Sequence, residues 1–130
     1  MLLAGACLLI AMPYARGAEP APVDYNRDIR PIFSNNCFAC HGPDEAERQA
    51  GLRLDLPEAA TQPADSGKRA IVPGQPDQSE LLARISATDA AERMPPVESN
   101  KKLTDEQKSM LRQWIAAGAR ADELGRIEAR

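Results

Sequence analysis

Two of the three cysteines and the single histidine of this 130-residue chain fall within five consecutive positions, Cys37-Phe38-Ala39-Cys40-His41. Three residues from one cysteine to the next is nearly one helical turn, so both sulfurs lie on one side of the backbone with the imidazole directly after them. The rest of the chain gives that cluster weight. Its aromatics are few (Tyr14, Tyr25, Phe33, Phe38 and Trp114), and eleven prolines and eight glycines interrupt it. A domain of this size buries a modest share of its surface and needs added apolar mass or a covalent staple. A bound cofactor provides both.

C-x-x-C-H is the attachment pattern of c-type haem. The two thiols add across the vinyl groups of the porphyrin as thioethers, and the histidine gives a ring nitrogen to iron. Cys37 and Cys40 are therefore the expected covalent anchors and His41 the expected proximal ligand of one haem c per chain. Three other readings of the motif compete. A thioredoxin-type dithiol needs a βαβ setting, which the pattern lacks. Zinc needs more ligands than Cys37, Cys40 and His41, and the last two are adjacent in sequence. A Cys37–Cys40 disulfide fits an exported protein, although so short a loop adds little stability.

Residues 1–17 read as an export signal: Leu2 to Met12 is apolar and uncharged, and Ala15-Arg16-Gly17 suits cleavage before Ala18. The start lacks a basic segment, and the other reading is a tethering or packed N-terminal helix. Cys7 leaves with such a leader, and its removal takes the net charge from −3 to −4, because Arg16 goes and no acid does. The expected location is the periplasm or an equivalent compartment, with membrane contact only through an uncleaved leader. Residues 18–23 form a Pro-containing linker, 24–119 the domain, and 120–130 a charged C-terminal tail. With 19 acids and 16 bases interspersed, no basic stripe points to nucleic acid.

The periodicity predicts helices joined by long loops. Tyr25, Ile29, Ile32 and Phe33 share a face, with Asp24 or Asp28 as cap and Asp28 favoured because Pro31 suits a helix start. That stripe continues through Cys37 and Cys40. A short helical stretch begins near Pro57, and Asp77 to Glu80 forms an acid-capped start of a helix that places Leu81, Leu82 and Ile85 together. Thr104 and Gln107 form a capping box for a last helix carrying Leu111, Trp114 and Ile115, stopped by Gly118.

A haem iron in an electron carrier usually takes a second protein ligand, commonly methionine. His41 is the only histidine, which excludes a bis-histidine pair within the chain. Met110 lies on the last helix and reads as packing. Met94 lies in "RMPP", a loop stiffened by Pro95 and Pro96, and follows His41 by 53 positions. Met94 is the expected distal ligand, the other reading being a side chain that merely covers the ring. Arg53, Lys68, Arg69 and Arg93 are candidates for haem propionates, with solvated surface roles the plainer reading. Asp44, Glu45 and Glu47 form an acidic patch suited to a basic partner or simply to solvent.

The ordered segments "DYNRDIRPIFSNNCFACHG", "GLRLDLPEAA", "IVPGQPDQSELLARI", "RMPP" and "KLTDEQKSMLRQWIAAGA" resemble the planctomycete-type cytochrome c domain, from about Val23 to Ala119. The resemblance implies an all-α, small class I-like cytochrome c fold, with N- and C-terminal helices crossing and long irregular loops around one haem. It implies covalent haem at Cys37 and Cys40, His41 proximal and Met94 distal, with "IVPG" and the "SELLARI" helix walling the ring. The expected function is that of an exported monohaem cytochrome which cycles Fe(III)/Fe(II) between redox protein partners and turns over no substrate. The alternatives are a haem-bearing module of a larger, interrupted multidomain redox protein, and a small-ligand sensor with an open iron site.

Overall fold

A computed structural model describes residue 17 and residues 21–121. The expected leader, apart from residue 17, lies outside the described residues, as do 18–20 of the linker and 122–130 of the tail. Four α-helices follow one another: α1 (Arg30–Asn36), α2 (Pro57–Ala60), α3 (Glu80–Ser86) and α4 (Asp105–Ala116). A π-helical turn, Tyr25–Ile29, runs directly into α1, and 3₁₀ turns at Pro76–Gln78 and Val97–Ser99 precede α3 and α4. The described residues contain no strand beyond an isolated bridge between Pro63 and Arg69. The described residues are all-α, as the pattern implies. Among the described residues no helix is long and apolar enough to cross a membrane.

The core joins the first and last helical segments. Ile29, Phe33, Leu111 and Ile115 are at most 1 % exposed. Trp114 is the keystone. Its ring centre lies 5.5 Å from that of Tyr25 and 5.9 Å from that of Phe33, the latter edge-on. Each such aromatic pair contributes about 0.5–1.5 kcal/mol beyond its buried area. The indole Nε1–H donates to the carbonyl of Arg120 at 3.0 Å, so the ring is buried with its polar atom satisfied.

Helix starts follow local chemistry, with two corrections to the sequence expectation. The cap of the first segment is Asp24, not Asp28: Asp24 Oδ1 accepts from Arg27 N–H at 2.7 Å. Asp28 lies inside the π turn and reaches back, accepting from Asp24 N–H at 2.9 Å. The extra residue in a π turn moves Asp28 past the capping position and still places Pro31 in the first turn of α1, where its missing N–H costs nothing. The second correction is at α3, which Asp77 does not cap. Ser79 precedes the helix and makes no side-chain cap, while Asp77 pairs with Arg112 at 3.1 Å. The preceding loop does the capping instead, as Glu80 N–H and Leu81 N–H donate to the carbonyls of Arg69 and Ala70. Buried Ser79 pins that loop: its Oγ accepts from Val72 N–H at 2.9 Å and donates to the Gln75 carbonyl at 3.0 Å. The capping box of α4 forms as expected, with Thr104 and Gln107 side chains accepting from each other's backbone N–H.

Candidate functional site: a thiol and imidazole cleft

The helical stripe does not continue through Cys37 and Cys40. α1 ends at Asn36, and Cys37 is its C-cap with φ −128°, outside helical geometry. A hydrogen-bonded turn replaces the helix, in which Cys40 N–H and His41 N–H both donate to the Cys37 carbonyl, at 3.2 and 2.8 Å. Cys37 is half-buried against the core and Cys40 is exposed, so the two sulfurs are presented to an opening rather than to the helix packing. Both thiols are free. Burial pushes the Cys37 thiol up to about 12, against an opposing pull from Lys101. An attacking dithiol needs a low thiol pKa, so the redox-dithiol reading loses support here.

The returning chain holds His41 at three atoms. Its N–H is tied to Cys37, its carbonyl accepts from Leu54 N–H at 2.8 Å, and its ring Nδ1 lies 3.2 Å from the Gln49 carbonyl. A carbonyl only accepts, so Nδ1 carries the proton and Nε2 keeps the lone pair. Burial lowers the His41 pKa, with the Gln49 bond opposing, and so favours the neutral ring that binds metal. Gln49 is in turn fixed by its own N–H on the Cys40 carbonyl at 2.7 Å.

These groups open on a cleft of about 260 Å³ with largely apolar walls. Cys37, Cys40 and His41 line one part of it, and Met94, Pro95 and Pro96 line another. Leu81 and Ile85 of α3 line it too, with Leu52 and Leu54 of the returning loop. Met94 reaches this place because its N–H donates to the Arg84 carbonyl at the end of α3, at 3.0 Å. One orphan helix carbonyl is satisfied and the methionine is positioned by the same bond. The Met94–Pro95 peptide is cis. Met110 is not in the cleft and packs partly buried against the core.

Of the basic candidates, only Lys68 lines this cleft. Arg53 is clasped by Asp55 at 2.5 Å, Arg69 donates to the Thr61 carbonyl at 2.8 Å, and Arg93 lines a different cleft. The "IVPG" expectation also changes. Ile71 is buried in the core, and Gly74 N–H bonds to the Ile115 carbonyl, so this segment braces α4 rather than walling the cleft. Asp44, Glu45 and Glu47 are exposed.

Sequence reasoning missed four contributors. Gln49 acts through a backbone carbonyl, which leaves no residue-type signal. Ala50 adopts φ 56° beside Gly51 at 62°, a left-handed pair that turns the loop back under the ring of His41. Lys101 Nζ donates to the Asn35 carbonyl and staples the Met94 loop's far end to the close of α1. Gly42 is needed for space: a Cβ there stands 2.1 Å from the Phe38 carbonyl oxygen. A glycine directly after the histidine was the one available signal.

The donor set fits a haem. Two thiols spaced by one turn, an imidazole with its iron-binding nitrogen free, and a thioether share one apolar cleft. Helices, loops and this donor set define a cytochrome c domain, a class that binds haem and transfers electrons. Residues 37–98 match the family model described as planctomycete cytochrome c, which supports a cytochrome c domain of that type in this chain. The match takes in the thiol motif, the returning loop, α3 and Met94. Comparison with curated proteins and with solved structures gave no match.

Proposed function

We propose that the chain is an exported electron carrier holding one covalent haem c. In this reading Cys37 and Cys40 form the thioethers, His41 is the proximal ligand, Met94 is the distal ligand, and the helices adopt a class I-like cytochrome arrangement. The observation that carries it is the single cleft in which the C-x-x-C-H turn and Met94 meet while Met110 is left in the core. The bound group supplies one-electron Fe(III)/Fe(II) chemistry. The protein's part is to exclude water with Leu54, Leu81 and Ile85, and to fix the His41 tautomer through Gln49. With His41 and Met94 both holding the iron, no position would be left for substrate, so the role would be carriage between redox protein partners and not catalysis. The leader of residues 1–17 would bring the chain to the compartment where haem is attached.

Met94→Ala tests the assignment. The reading expects the variant to lose the low-spin, six-coordinate spectrum and to show a lower reduction potential, because a thioether ligand raises the potential. An unchanged spectrum and potential removes Met94 from the iron. A parent protein that binds carbon monoxide in the ferrous state as readily as the variant would favour the open-iron sensor instead.

A further inference from the structure

Behind Met94 lies a second cleft, of about 300 Å³. Arg93, Lys101, Lys102 and Lys108 line it together with the hydroxyl residues Ser86 and Thr88, and no carboxylate does. Three of the four lysines in the whole chain converge here, although the chain carries a net charge of −3. Elsewhere Arg27, Arg53, Lys68, Arg84 and Arg112 each have a carboxylate within 3.5 Å, and Arg48 and Arg69 donate to backbone carbonyls. What sets this cleft apart is four cations gathered round one opening with no carboxylate lining it. Lys108 stands 4.0 Å from Asp105, a fully exposed acid. Lys101 spends one of its three donors on the Asn35 carbonyl. Among the described residues Arg93 and Lys102 have no ion pair. Four like charges around a small concavity repel one another unless an anion sits among them.

We infer that this cleft binds a small oxyanion of the phosphate class, and that its occupancy is coupled to the redox state of the adjoining site. The guanidinium offers a planar fork, the ammoniums offer point charges, and the two hydroxyls complete a donor set that suits tetrahedral oxygens. Met94 and Pro95 line both clefts, so the anion and the iron would stand on either side of one short segment. This coupling rests on the proposed function. A negative charge there favours the more positive, oxidised iron, so the anion binds the oxidised form more tightly and lowers the reduction potential.

The test titrates inorganic phosphate into the reduced protein, with chloride at equal ionic strength as control, and reads the backbone amides of Thr88, Met94, Lys102 and Leu103 by NMR. The midpoint potential is measured in the same two salts. The inference expects saturable amide shifts with phosphate alone and a potential that falls as phosphate rises. In Arg93→Gln/Lys102→Gln, affinity should weaken about tenfold or more, and the potential should no longer respond to phosphate. Both substitutions are on accessible side chains, and the visible spectrum of the variant checks that the haem site is intact. Equal, non-saturating shifts in both salts, or shifts that survive in the variant, overturn the site. Saturable binding with an unmoved potential overturns the coupling. If the protein carries no haem, the proposed function fails, and the amide titration still decides the anion site.

Discussion

Gly42 and Met110 show how narrowly single residues are tied to the site. At Gly42 any side chain meets the Phe38 carbonyl oxygen at 2.1 Å, and that oxygen is backbone, so the turn itself must shift. Gly42→Ala is expected to cost about 2 kcal/mol or more, of the order seen for overpacked sites, and to lower the yield of haem-loaded protein. Chemical denaturation with a fixed m-value, together with the visible absorbance per chain, checks both parts. Met110→Ala should do the opposite of Met94→Ala. It is expected to lower stability by about 1–2 kcal/mol as a partly buried truncation and to leave the iron spectrum as it was. The thiols and the imidazole were legible because their residue types name their chemistry. The Gln49 carbonyl and the left-handed Ala50 were not, because the backbone atoms that matter there belong to every residue alike.

Elements were legible where the local chemistry is self-contained. Thr104 and Gln107 state the start of α4 in the sequence, and both reciprocal bonds form. Thr104→Ala is expected to destabilise by about 1 kcal/mol, read as a shift in the denaturation midpoint. Trp114→Ala, which removes the ring shared by Tyr25 and Phe33, should cost about 3–5 kcal/mol. Helix ends that depend on distant partners were not legible. α3 is capped by the carbonyls of Arg69 and Ala70, and α1 stops at Asn36 although its apolar spacing runs on through Cys40. The Arg53–Asp55 clasp in the returning loop gives the fold a pH dependence. The Arg53 hydrogen bond holds the Asp55 carboxyl below its ordinary 3.8, partly offset by burial. Its stabilising effect is therefore complete above that value and disappears as the pH falls through the lower folded-state pKa. Thermal melts of Asp55→Asn should lie below those of the parent at pH 7 and converge on them only as the pH falls through the lowered folded-state pKa. A gap that widens with acid would contradict that sign.

At the scale of the whole molecule, the core is split between two jobs. Tyr25, Ile29, Phe33, Leu111 and Trp114 close the helices on one another, whereas Leu52, Leu54, Leu81 and Ile85 are turned at least partly toward the cleft. The second set lines the cleft as well as the core, so a group bound there would cover its remaining apolar surface and add stability by mass action and by buried area. The all-α class was legible from helical spacing and long loops. The arrangement of the loops was not, since it rests on carbonyls, left-handed turns and the Lys101 staple rather than on periodic side chains. A Cys37→Ala/Cys40→Ala chain is expected to show weakened helical circular dichroism and a broad melt. A native-like signal with sharp cooperative melting would contradict this division of the core. The central claim is covalent haem at Cys37 and Cys40, and it is tested most directly by a haem stain on a denaturing gel after expression with c-type maturation machinery. The account predicts a stained band at the chain's mass that disappears in the double variant. A colourless band from exported, intact chain would contradict it.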